Sequence, residues 1–154
     1  MYRTKRRPAM FLTIGVVFLM IVICLLFIVF SPGHMAKRVV NEFYSYEQLG
    51  NFGDSWQLLH PFMKEKWPKS TYITDRSHVF MGHFGSETFE YSIEGGEKIS
   101  GWSMSKDTPK FKKVYKFEVI QEYKGKYGAF AFVQDVYVVK NNEGDYEIVW
   151  DYNQ

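Results

Sequence analysis

Among its 154 residues the sequence has a single cysteine, Cys24, and it lies inside a hydrophobic run. No disulfide can brace the remaining chain, which must hold together by burial alone. Cys24 follows Ile21, Val22 and Ile23 and lacks the small preceding side chain of a lipoprotein site, so it reads as an ordinary apolar helix residue. An excess of one charge is missing too. The formal net charge is +2, but four of the 19 Lys and Arg (Arg3, Lys5, Arg6 and Arg7) precede the hydrophobic run. The later portion has 15 basic against 17 acidic residues. That balance excludes the cationic footprint of a nucleic-acid binder. There is no Gly-x-Ser-x-Gly elbow, no phosphate-binding glycine loop, no cysteine nucleophile beyond the run, no internal repeat and no low-complexity segment.

What is present first is a membrane segment. From Ala9 to Phe30 the chain has 22 uncharged residues, 16 of them Leu, Ile, Val or Phe. As a helix this stretch rises about 33 Å, against a bilayer core of roughly 30 Å. A cleavable signal peptide begins in the same way, but its apolar core is usually about 7 to 15 residues, shorter than this run. The basic cluster ahead of the span marks the cytoplasmic side, because the other flank holds only Lys37 and Arg38 nearby. Residues 1–8 are then a cytoplasmic tail, 9–30 a single membrane-spanning signal anchor in the cell membrane, and 31–154 one extracytoplasmic domain. Lack of disulfides in that domain favours a bacterial cell surface.

The outer portion divides by periodicity. Met35, Val39, Phe43 and Tyr46 form one helical stripe, and Gly50 stops it. Asp54 is a candidate cap for a short second helix carrying Trp56 and Leu59, Pro61 starts a following segment, and Pro68 ends it. Ser70 is the candidate cap of a third helix with Tyr72, Ile73, Arg76, Val79, Phe80 and Phe84 on one stripe. From Phe89 the period becomes two. Glu94-Gly95-Gly96-Glu97 predicts a turn towards a strand with Ile99, Trp102 and Met104, Lys124-Gly125-Lys126 predicts another, and Asn141 to Gly144 closes a hairpin into Tyr146 to Trp150. Helices first and antiparallel strands afterwards predict an α+β fold in which about three helices pack on a curved sheet.

The first helix, the link Gly50-Asn51-Phe52-Gly53-Asp54, the stretch Ser55-Trp56-Gln57-Leu58-Leu59-His60-Pro61 and the final Gly144-Asp145-Tyr146-Glu147-Ile148-Val149-Trp150-Asp151 strand resemble the nuclear-transport-factor-2-like superfamily. The resemblance is to its membrane-anchored extracytoplasmic type from Gram-positive bacteria, and it extends over nearly all of the outer portion. It implies a cone-shaped domain. The fold hosts enzymes and inert scaffolds alike, so it assigns no activity by itself.

Enzymes of the resembled superfamily place an Asp or His inside the cone, which makes His78, Asp135, Tyr91 and Tyr137 the candidate pocket residues. Burial of Asp135 between Val133 and Val136 would raise its pKa and suit a base, whereas an outward position or a bulge would make it structural. Asp75 and His78, three apart, can meet on a helix, but His78 and His83, five apart, diverge by about 140° in α-helical geometry. Neither a metal site nor a cofactor is expected. The aromatic density is high, with 24 rings among the 121 residues from His34 onward. Most of them, including Phe43, Trp56, Phe80, Phe117, Phe130 and Trp150, suit a core. Trp67 and Trp102, near loops, are the candidates for a partner surface, together with Lys110, Lys112 and Lys113 of a basic patch that also includes Lys106 and Lys116. The reading is a non-catalytic interaction or scaffold module in an envelope assembly, with a protein partner and no nucleic acid. Self-association through sheet edges is compatible with it. The alternative is a small-molecule-binding or acid-base enzymatic cone using Asp135 or His78.

Overall fold

The computed structural model describes residues 7–83, 85–106 and 108–151. Arg3, Lys5 and Arg6 of the orientation argument and Phe84 of the third stripe lie outside these residues, as do the side chains of Arg7 and Phe80. The chain divides into two compact units, Met1–Met35 and Ala36–Gln154. In the first, helix α1 spans Arg7–Val29 and includes Phe11–Val29, a stretch long and apolar enough to cross a membrane. Its large side chains are exposed, Phe27 by 76% and Leu12 by 70%, so the helix has no apolar partner among the described residues. A helix hydrophobic all round needs an apolar surrounding.

The second unit is α+β, with short helices packed on a four-stranded open antiparallel sheet of order β1-β2-β3-β4. Helix α2 (Pro32–Gln48) buries Ala36, Val40, Phe43, Tyr44 and Glu47. Of the predicted stripe, Phe43 is buried and Val39 packs half-buried against the core, while the fully buried positions lie one residue further along at Ala36, Val40 and Tyr44. Tyr46 turns out to the surface, where its hydroxyl meets Glu42, and an acid takes the inward place at Glu47. The helix ends as foreseen at Gly50 (φ 72°). There Gly50 N donates to the Glu47 carbonyl and Asn51 N to the Tyr46 carbonyl, the paired bonds of a glycine-closed C-terminus.

Helix α3 (Phe52–Ser55) has Asn51 at its N-cap, so Asp54 lies within the first turn instead of capping it. A 3-10 turn, Trp56–Leu58, follows. Leu59 is fully buried and forms a parallel bridge with Ile148, whose carbonyl accepts from His60 N at 2.9 Å. Helix α4 (Pro61–Lys66) starts with Pro61 behind an N-cap at His60, whose Nδ1 accepts from Phe62 N at 3.2 Å. Pro68 is the N-cap of α5 (Lys69–Ser77), which displaces Ser70 into the helix. A π-helical turn, His78–His83, completes this region.

Strand β1 (Phe89–Ile99) runs straight through Glu94-Gly95-Gly96-Glu97, where a turn was expected, and its register against β2 shifts between Gly95 and Glu97. The two glycines have φ of 83° and 114°, and a Cβ on Gly96 would sit 3.3 Å from the Phe117 ring. They accommodate a bulge instead of reversing the chain. Trp102 and Phe111 form an isolated bridge in the connection that follows, and Met104 is buried. Strands β2 (Val114–Gly125) and β3 (Gly128–Lys140) join through Lys126 and Tyr127. In the next turn Asn141 Oδ1 accepts from the backbone of Glu143, Gly144 and Asp145. Strand β4 (Tyr146–Val149) then pairs with Tyr137 to Lys140.

Candidate functional site

The largest concentration of buried polar chemistry lies where α2, α3 and α5 meet. Glu47, the last inward residue of α2, has no exposed side-chain surface. Its Oε1 accepts from the Ser55 hydroxyl, and from Tyr72 Oη at 2.8 Å. Its Oε2 accepts from Arg76 Nε at 2.5 Å and from the Nη2 of the same guanidinium. Four donors therefore saturate one carboxylate, the arrangement that makes a buried charge tolerable. Burial opposes the charge on Arg76, but Glu47, helped by Tyr72 and Tyr44, holds its pKa above the ordinary arginine value. Burial likewise lifts the Tyr72 and Tyr44 phenols well above the usual range, and the nearby Arg76 offsets only part of the rise. The neutral Tyr72 phenol, the Ser55 hydroxyl and the Arg76 guanidinium, all donating to one carboxylate, form a latch between helices. They leave no free lone pair on Glu47 for proton transfer to a substrate.

The sheet presents a second polar layer to α2. Tyr44 Oη donates to Gln134 Oε1 at 3.0 Å, and Tyr123 Oη to Gln121 Oε1 at 2.8 Å. Gln121 is buried, and its Nε2 has no hydrogen-bond partner. Gln48 Nε2 donates to the Phe89 carbonyl at 2.7 Å and ties the end of α2 to the start of β1.

The four candidate pocket residues do not meet in one site, although Asp135 and Tyr137 share a face beside Lys116. Tyr91 lies on the α2 side, its hydroxyl donating to the Asn41 carbonyl at 3.1 Å and its ring 5.8 Å from that of Tyr44. Because Gln134 faces α2, alternation turns Asp135 and Tyr137 to the opposite face. There Asp135 pairs with Lys116 at 2.6 Å, both side chains a third exposed. Tyr137 is covered by Trp102, with ring centroids 4.0 Å apart. Asp135 is thus an outer-face ion pair, the structural one of its two readings. His78 meets His83, Nε2 to Nε2 at 3.0 Å. The expected divergence of these two assumed an α-helix, whereas a π-helical turn brings residues five apart to one side. No group of three or more His, Cys, Asp or Glu able to hold a metal occurs among the described residues.

The two tryptophans assigned to a partner surface take part in packing. The Trp67 ring lies 5.8 Å from that of Trp150 while its carbonyl accepts from Trp56 Nε1, and Trp102 stacks between Tyr137 and Phe111. Lys110, Lys112 and Lys113 are exposed. At the far side of β4, His60 packs on Phe62 and Phe111, and its Nε2 lies 3.9 Å from Glu147 Oε2. Burial lowers the His60 pKa, Glu147 opposes that, and Lys64 adds to it. An open depression of about 370 Å³ lies beside β3, with Glu118, Gln134, Asp135 and Asp151 in its wall.

Glu47, Ser55, Gln121 and Gln134 escaped the reading of the sequence. Glu47 sits four residues beyond Phe43, so helical spacing alone admits it to the core, and Arg76 already stood in the α5 stripe beside Tyr72. Matching an inward acid with an inward arginine is the signal that pairs them. No protein-family model matches the chain, and no curated protein matches it.

Proposed function

We propose that the protein is a non-catalytic interaction module, anchored by α1 in the bacterial cell membrane with its N-terminus cytoplasmic and its second unit outside, and built as a nuclear-transport-factor-2-like cone. What supports this reading is the use to which the interior polar groups are put. Glu47 directs its lone pairs to Ser55, Tyr72 and Arg76, His78 is engaged with His83, and on the outer face Asp135 is paired with Lys116 and Tyr137 covered by Trp102. A tethered surface of this kind acts by what docks on it, and confinement to a membrane raises the effective concentration of neighbours.

The test is made on intact cells. External protease removes the second unit while α1 stays in carbonate-washed membranes, and crosslinking followed by mass spectrometry returns a reproducible envelope neighbour. A unit shielded from protease, a chain released by carbonate, or a chain always recovered uncrosslinked overturns the reading.

A further inference from the structure

The turn that follows α5 is wound as a π-helix from His78 to His83. Such turns are rare, and they recur at functional sites. The wider winding has one chemical result here. It brings two imidazoles five residues apart to the same side, with Nε2 to Nε2 at 3.0 Å. The rings are angled to each other, their planes 81° and their centroids 4.5 Å apart. Gly82 leaves room for this, since a Cβ there would stand 3.5 Å from His78 Nδ1 and any larger side chain would press on the ring. Both histidines are exposed. His60, by contrast, has its Nδ1 committed to the N-cap of α4.

We propose that His78 and His83 chelate one divalent copper ion through their Nε2 atoms, with water completing the coordination. The separation of the two nitrogens bears on the choice of ion. With metal–nitrogen bonds of about 2.0–2.1 Å, nitrogens 3.0 Å apart subtend about 95° at the ion. That is close to the cis angle of a tetragonal ion, the preference of copper(II) and nickel(II). A tetrahedral zinc ion would hold them about 3.3 Å apart, and zinc sites take three or four protein ligands. No such set of His, Cys, Asp or Glu occurs among the described residues. Between the two tetragonal ions, copper(II) binds nitrogen donors more tightly.

As the rings lie, one Nε2–H donates to the other Nε2. Ligation uses both Nε2 lone pairs, so the donor ring moves its hydrogen to Nδ1 through solvent and both rings bind as neutral imidazoles. This ion site stands apart from the interaction-module reading, because it holds whatever docks on the unit.

Full-length protein without an added histidine tag is titrated with copper(II) at neutral pH in mild detergent. It carries Cys24→Ser, which removes the chain's single thiol. Calorimetry and electron paramagnetic resonance should show one copper per chain with hyperfine splitting from two nitrogens. His78→Ala and His83→Ala should each weaken binding by roughly 10-fold or more, because a chelate becomes a single ligand. Both side chains are on the surface, so thermal unfolding of these variants should match that of the parent, and a loss of binding then reads the site itself. Zinc should bind roughly 10-fold more weakly than copper, or weaker still. Absence of saturable copper binding, a signal from fewer than two nitrogens, binding that survives His78→Ala with His83→Ala, or zinc binding as tight as copper overturns the proposal.

Discussion

The two faces of the sheet are covered by different physics. On the α2 side the helices are held through hydrogen-bonded polar groups, from Glu47 with its Ser55, Tyr72 and Arg76 partners to the Tyr44–Gln134 pair. On the other side, Trp102 stacks on Tyr137 and Phe111 on Trp102, and the Lys116–Asp135 pair sits at the surface. Rings tolerate small displacements, since their gain follows the area removed from water. A buried carboxylate does not, because losing one donor strands a charge. The helix-covered face is therefore the brittle one and the aromatic face the forgiving one.

Glu47→Ala gives the largest expected effect. It strands Arg76 and Tyr72 and should destabilise the second unit by about 3–5 kcal/mol, read from urea unfolding of the full chain in mild detergent. Replacing both partners, Glu47→Leu with Arg76→Met, should recover most of that loss. A double variant no more stable than Glu47→Ala would contradict the brittle-face argument.

Gly96→Ala comes next, at about 2 kcal/mol, because a side chain at φ 114° meets the Phe117 ring on the same helix-covered face. On the opposite face Trp102→Ala should cost about 1–2 kcal/mol, less than Glu47→Ala despite the larger side chain removed. Equal costs for the two would erase the contrast between the faces.

The smallest effect is a pH dependence. The folded pKa of His60 lies below the ordinary value of about 6.5. Between the two values the unfolded chain binds more protons, so the stability from His60 is present above about pH 6.5 and is lost as pH falls from there through the folded value. His60→Asn keeps a capping oxygen but cannot titrate there. It should flatten that part of the stability profile, and an unchanged slope would remove His60 as its source.

The apolar N-terminal helix and the order of helices before strands were legible in the sequence because runs and periods report burial directly. The hairpin closing at Asn141 to Gly144 was legible for the same reason, whereas the β2–β3 turn falls at Lys126-Tyr127, later than the expected Lys124-Gly125-Lys126. Three features were not. Gly95 and Gly96 permit a turn or a bulge equally, and only the pairing with Phe117 decides between them. His78 and His83 approach each other only because the turn winds wider than an α-helix. The face occupied by Asp135 depends on whether Gln134 or its neighbour meets Tyr44, a contact between residues 90 positions apart. In each instance the local pattern allows two geometries and a distant side chain selects one.

The order β1-β2-β3-β4 also has a kinetic meaning. Each strand pairs with its neighbour in the chain, and the β2–β3 and β3–β4 hairpins close over only a few residues at Lys126-Tyr127 and around Asn141. Closing short loops is fast and entropically cheap, so these two hairpins are the natural starting points for folding. Helix α2 must then find the finished sheet across a long chain segment. Amides of β2 and β3 should gain protection first in pulsed exchange, and the Tyr44–Gln134 bond should be among the last to form.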